Sequence, residues 1–255
     1  MVIVGVKELL PNRNEKSVFA RAFKIGVKYL TYNKDYFEDI NTTNKAYWLG
    51  FMYADGCVTT KNRWYFGLQS ADAEHVQYFL NDFNCNTRVR LSKNDTFCSF
   101  MIKNKKMYDD LVDKGVVRGK TFCLTFPDES ILKKKYYSHF IRGFFDGDGC
   151  LYYKQVERKN RPNKNQTFLA KEINFVCASL EFITKFKSVI EEECGVKFPI
   201  SIVNRKDCKP LPTLRIGNKA DMKTFLNYMY QNSTKFNRLS RKYEKSQILL
   251  NCHFQ

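Results

Sequence analysis

The hydrophobic and polar positions of this chain switch repeatedly between a two-residue and a helical period. Residues 58–69, "VTTKNRWYFGLQ", read as two strand-like pieces around a "KNR" turn. "SADAEHVQYFLNDF" (70–83) changes to helical spacing, and Ser70 ahead of its first apolar residue predicts an N-cap. "TRVRLSKNDTFCSFMIK" (87–103) returns to alternation with "SKND" as its turn, and "NKKMYDDLVDKG" (104–115) is a short helix stopped by Gly115. The same order recurs further on. A long basic hairpin, "LYYKQVERKNRPNKNQTFLAKEINFVCA" (151–178), precedes a Ser-capped helix, "SLEFITKFKSVIEEECG" (179–195). A hairpin, "KFPISIVNRKDCKPLPTLRIG" (197–217), and a helix, "NKADMKTFLNYMYQN" (218–232), complete it.

Each series is introduced by a largely apolar segment, and the two segments match without gaps. Residues 47–58 are "YWLGFMYADGCV" and residues 140–151 are "FIRGFFDGDGCL", an offset of 93 from residue 47 to residue 140. Gly50/Gly143, Phe51/Phe144, Asp55/Asp148, Gly56/Gly149 and Cys57/Cys150 are identical pairs. Two copies of one helix–strand–strand–helix–strand–strand–helix unit predict a pseudo-twofold α+β architecture. Gly50 and Ala54, and Gly143 and Gly147, sit four apart and therefore on one face of a helix, where small residues permit close helix approach.

Composition narrows the class of partner. The 255 residues are 44% hydrophobic, enough for one large domain or two small ones, and the formal net charge is +17. Lys and Arg run along most of the length, so the folded body is expected to be basic and its partner a polyanion, most often nucleic acid. Nine cysteines are widely spaced with no C-x-x-C pair, and the three histidines lie far apart, which argues against zinc modules. The odd cysteine count and the absence of a signal-like start lead to the expectation of reduced thiols in a soluble, intracellular protein. No apolar run of 18 residues occurs, so no membrane partner is expected.

The paired segments, "WLGFMYADG" and "IRGFFDGDG", with the repeated element order over roughly residues 45–250, resemble the LAGLIDADG homing endonucleases in their single-chain, two-repeat form. The resemblance implies two pseudo-twofold-related αββαββα repeats, a saddle of antiparallel sheets on DNA, and motif helices packed at the centre through Gly50, Ala54, Gly143 and Gly147. It divides the chain into residues 1–44 as an extension, 45–136 as the first repeat and 137–255 as the second. It also brings Asp55 and Asp148 together as catalytic metal ligands. Two carboxylates in contact repel unless a cation lies between them, and hard oxygen ligands suit Mg²⁺ or Mn²⁺. Asp146, matched by Tyr53 in the first copy, is expected to be structural, hydrogen-bonding backbone at the helix end.

Family order further nominates Lys120 in "RGKTF" and Lys242 in "LSRKYEKS" as groups that stabilise developing charge, with Arg241 an open alternative to Lys242. Arg63, Arg88, Arg90, Lys154, Gln155, Arg158 and Arg215 are the candidate DNA contacts on outward hairpin positions. The longer hairpin at 152–172 implies unlike half-sites and a long, non-palindromic target. The implied activity is metal-dependent, site-specific cleavage of double-stranded DNA by a monomer. An intron RNA-splicing maturase and a non-catalytic DNA-binding regulator are the alternatives on the same scaffold. Residues 1–44 read either as a helix-turn-helix-like module or as a helix packed on the body.

Overall fold

The computed structural model describes residues 30–120, 122–157, 167–203 and 210–251. Of the N-terminal extension, residues 1–29 lie outside it, as do Arg158 and the "NRKDCK" turn (204–209). The first repeat runs α1 (Thr43–Ala54), β1 (Cys57–Thr59), β2 (Arg63–Gln69), α2 (Ala73–Asp82), β3 (Arg90–Leu91), β4 (Phe97–Lys103) and α3 (Lys105–Asp113). The second runs α4 (Tyr137–Asp148), β5 (Cys150–Glu157), β6 (Thr167–Val176), α5 (Leu180–Cys194), β7 (Ile200–Val203), β8 (Leu211–Ile216) and α6 (Lys219–Tyr230). A further helix, α7 (Ser240–Asn251), has no counterpart among the described residues of the first repeat. The two antiparallel sheets share one topology, β1-β2-β4-β3 and β5-β6-β8-β7.

Local chemistry explains most element ends. Thr42 caps α1 by accepting from the Lys45 amide at 3.2 Å, and Ser179 caps α5 by accepting from the Phe182 amide at 3.2 Å. Gly115 follows α3 at φ +91°, the left-handed geometry that stops a helix. Ser70 does not act as an N-cap. Residues Ser70–Asp72 instead form a single 3₁₀ turn, and the Ser70 amide bonds to the Thr96 carbonyl of the neighbouring hairpin. That bond ties Ser70 to the start of β4, and α2 begins three residues later.

Each sheet buries one face against its helices. Val58, Trp64, Phe66, Phe100 and Ile102 point inward from the first sheet, and Leu151, Ile173, Phe175, Leu214 and Ile216 from the second. The first core is built on aromatic contacts, with Trp48 stacked on Phe79 at 4.3 Å between centroids. Part of the extension joins it, because Phe37 is fully buried and packs edge-on to Trp64 and Phe79. The described part of residues 1–44 thus packs on the body.

The halves meet through α1 and α4. A Cβ on Gly50 would lie 2.0 Å from the Phe140 carbonyl oxygen, and one on Gly143 would lie 1.9 Å from that of Tyr47. These contacts are related by the same 93-residue offset as the sequences, since Tyr47 and Phe140 are themselves a matched pair. Two helices can approach this closely only where neither has a side chain. Gly143→Ala is expected to destabilise the fold by about 3 kcal/mol or more, because neither colliding backbone can move alone. Gly217→Ala, with nothing within 4 Å of the added carbon, is expected to stay within about 0.5 kcal/mol. Urea denaturation of the two variants checks both values.

Candidate active site

The two carboxylates end α1 and α4. Asp55 is the C-cap of α1 and its amide bonds to the Phe51 carbonyl, while Asp148 is the last residue of α4. Gly147 lets them converge, since a Cβ there would sit 2.2 Å from Ala54 Cβ and 2.8 Å from Asp55 Oδ2. Burial and then the charge of Asp148 push Asp55 up to about 6, against the pull of Lys120, Lys242 and Arg241. Burial likewise raises Asp148, opposed by Lys120 and Lys242. Two carboxylates held together at a pair of helix C-termini, the negative ends of both dipoles, form a site that a cation would relieve.

The lysines are not placed as free charges. Lys120 Nζ donates to the carbonyls of Met52 (2.9 Å), Ala54 (2.6 Å) and Gly56 (2.6 Å). Lys242 Nζ donates to those of Phe145 (2.7 Å), Gly147 (3.1 Å) and Gly149 (2.6 Å). The six acceptors are three matched pairs, so each ammonium closes the C-terminus of its own motif helix and occupies all three of its donors. Burial pushes both lysines down to about 8, while the neighbouring carboxylates hold them up. Arg241 separates from Lys242 here: its Nε bonds to both oxygens of Asp72, at 3.2 and 3.0 Å, tying α7 to the first repeat.

Asp146 lies beneath the site, fully enclosed. Its Oδ2 accepts from the Leu239 amide at 2.7 Å and the Tyr47 hydroxyl at 2.8 Å. The Leu239 bond anchors the segment leading to Lys242. The first repeat uses different chemistry for the same task, with Tyr53 donating to the Lys114 carbonyl at 2.7 Å ahead of Lys120. Since the single Tyr47 proton goes to Asp146, the 2.6 Å contact between Tyr47 and His75 requires His75 to donate from Nε2. Arg142 is buried in the same layer and donates to the Asn237 and Met229 carbonyls at 2.7 and 2.8 Å.

The outward face of each sheet carries most of the nominated contacts. Arg63 lies opposite Lys103, Arg90 opposite Ser99, and Arg215 opposite Asn174. Lys154 shares the outward side with Cys150 and Tyr152, and Arg88 is exposed just before β3. Gln155 does not join them: strand alternation turns it to the side of Leu151 and Tyr153. Sequence reading passed over Tyr65, Met101, Glu172 and Asn174 on this face. Their signal, alternation within a strand, was present, but the rows they form depend on strand register.

The donor set fits a hard divalent ion. Among the described residues no group of three or more His, Cys, Asp and Glu comes together, so the protein offers two carboxylates. Mg²⁺ is suited to such a site because it keeps several waters and takes phosphate oxygens.

A two-repeat α+β protein with paired carboxylates at its pseudo-twofold centre is thereby defined. Residues 135–230 match the LAGLIDADG-like domain family. The fold is similar to that of the I-LtrWI LAGLIDADG homing endonuclease bound to target DNA, with 10% identity, coverage of 86% of this chain and 91% of that one, and a TM-score of 0.54. It is similar also to LAGLIDADG meganuclease I-AabMI bound to uncleaved DNA (11% identity, 82% and 88% coverage, TM-score 0.54). Meganuclease I-SmaMI bound to uncleaveable DNA is a third (12% identity, 80% and 86% coverage, TM-score 0.53). No curated protein matches the sequence. The chain thus has the two-repeat fold of these LAGLIDADG structures.

Two outcomes follow from this geometry. Lys242→Met leaves three carbonyls at the end of α4 without their donor and is expected to cost about 3 kcal/mol, read from thermal unfolding. His75 is held down to about 3 by burial and then by Arg241, so its contribution to stability is present above the unfolded value of about 6.5 and is lost as pH falls from there toward 3. The wild type should lose up to about 1.4 kcal/mol per pH unit through this group. His75→Gln should remove that part of the slope in urea titrations at pH 7, 5.5 and 4.5.

Proposed function

We propose that this chain is a site-specific endonuclease that hydrolyses both strands of a long, non-palindromic DNA duplex with a divalent metal, Mg²⁺ or Mn²⁺. The observation that carries the reading is the convergence of Asp55 and Asp148 from matched helices, each helix end closed by its own lysine. One carboxylate per strand gives the symmetry that a double-strand cut needs, and one chain supplies both, so the active form is a monomer.

Asp55 and Asp148 would hold the metal. A divalent ion bound there supplies an activated water and neutralises charge on the phosphodiester. Lys120 and Lys242 fix the helix ends and add positive potential beside the carboxylates, without a donor to spare for the phosphate. Residues 45–136 and 137–255 each take one half-site, with the outward faces of their sheets along the major groove. Arg63, Arg88, Arg90, Lys154 and Arg215 supply contacts to phosphates and base edges. Residues 1–44 act as an extension of the first repeat.

The test is incubation of a randomised or genomic DNA pool with the purified protein in Mg²⁺ and in EDTA, beside Asp148→Asn. Discrete double-strand breaks at one long sequence, absent with EDTA and lowered at least a hundredfold in the variant, are the expected result. Tight, selective binding with no cutting in Mg²⁺ or Mn²⁺ would replace this reading with a DNA-binding regulator. Exclusive binding of structured RNA would replace it with a splicing maturase.

A further inference from the structure

The rows of side chains nearest the two carboxylates are matched in position and opposite in chemistry. Cys57 and Cys150 stand two residues after Asp55 and Asp148, at the start of β1 and β5. In the first sheet Cys57 pairs with Tyr65, and Tyr65 with Met101. In the second, Cys150 pairs with Asn174, and Asn174 with Arg215. The pseudo-twofold relates the rows, so Tyr65 corresponds to Asn174 and Met101 to Arg215. Met101 is 53% exposed and has no hydrogen-bond donor to offer a base edge. Arg215 is braced: Glu172 Oε1 lies 3.8 Å from its Nε and accepts from Asn174 Nδ2 at 2.9 Å.

Exposed apolar side chains over a major groove find one apolar feature there, the thymine C5-methyl group. A guanidinium with a carboxylate on its Nε side leaves its Nη fork outward, where it matches the O6 and N7 acceptors of guanine. An Arg on both sides would read both half-sites alike; here the same place carries a sulfur-tipped alkyl chain on one side and a positioned cation on the other. We propose that the two half-sites are distinguished beside their cleavage points, with Met101 and Tyr65 selecting a thymine methyl and Glu172-braced Arg215, with Asn174, selecting guanine. The inference rests on the proposed DNA-cleaving function and assigns the specificity of that same surface. Glu172 is a positioning residue in it, acting through Arg215.

The experiment uses the full chain in EDTA, so that binding is read without cutting. A binding consensus is selected from randomised duplexes, and uracil then replaces thymine, or 7-deazaguanine replaces guanine, at the positions flanking the centre. Uracil in the Met101 half should weaken binding about threefold, the loss of one methyl contact, and 7-deazaguanine in the Arg215 half about tenfold. Met101→Arg should shift its half of the consensus from thymine to guanine, and Arg215→Met should abolish the guanine preference in the other half. Glu172→Gln should relax that preference while leaving the Met101 half unchanged. A consensus that ignores both analogues and does not move in the variants overturns the inference and leaves the endonuclease reading standing. A pool that yields no consensus at all overturns both. Because Met101 and Arg215 are exposed and the analogues leave the protein untouched, a folding defect cannot imitate either result.

Discussion

Everything in this molecule is arranged around a contact between two peptide backbones. Where α1 crosses α4, Gly50 faces the Phe140 carbonyl and Gly143 faces the Tyr47 carbonyl, with no side chain between them. That contact fixes the separation of the helix axes. One turn further on, it also fixes where the helices end, and so brings Asp55 beside Gly147 at the approach to Asp148. A larger residue at either glycine would force the axes apart and separate the carboxylates with them. The small-residue stripe is therefore a condition of the carboxylate pair as well as of the fold.

Convergence creates an electrostatic problem that the lysines partly solve. Two helix C-termini point their unpaired carbonyls and partial negative charge at the same small volume, which also holds two carboxylates. Lys120 and Lys242 each bind three of those carbonyls, capping the helices and lending positive potential to the acids. Burial still raises Asp55 and Asp148 above the ordinary carboxylate range. A cation between the carboxylates would relieve that cost, because it would favour the charged form that burial disfavours.

The halves are symmetric at this centre and diverge away from it. Asp146 and Tyr53 occupy one matched position, and each holds the segment that leads to its lysine, one by accepting an amide and the other by donating to a carbonyl. The Tyr47 hydroxyl and the buried Arg142 extend the second-half network into the first, so the halves share a polar layer beneath the site. Further out, α7 has no counterpart among the described residues of the first repeat, and the outward rows carry different side chains. Divergence is tolerated there because exposed sheet positions are not constrained by packing, whereas the crossing point is.

The sequence by itself determined the parts that repeat or that obey a local period. The 93-residue offset, the four-residue spacing of Gly50, Ala54, Gly143 and Gly147, and the order of hairpins and helices were all legible, because each is a property of neighbouring residues. The structural role of Asp146 was legible from its mismatch with Tyr53. Other features were decided only by tertiary structure. Lys120 lies between 64 and 68 residues from the carbonyls it caps, and Lys242 between 93 and 97 from its own, a distance at which no periodicity reports a contact. Lys154 and Gln155, neighbours in one strand, face opposite ways by alternation alone, but which of them faces outward was decided by the side on which Leu151 is buried. Ser70 carried a helix-capping side chain, yet the hydrogen bond its amide donates to the Thr96 carbonyl of a separate hairpin overrode it. Met101 and Arg215 became counterparts only through strand register, since a single strand reports which side a residue faces and never which residue lies beside it.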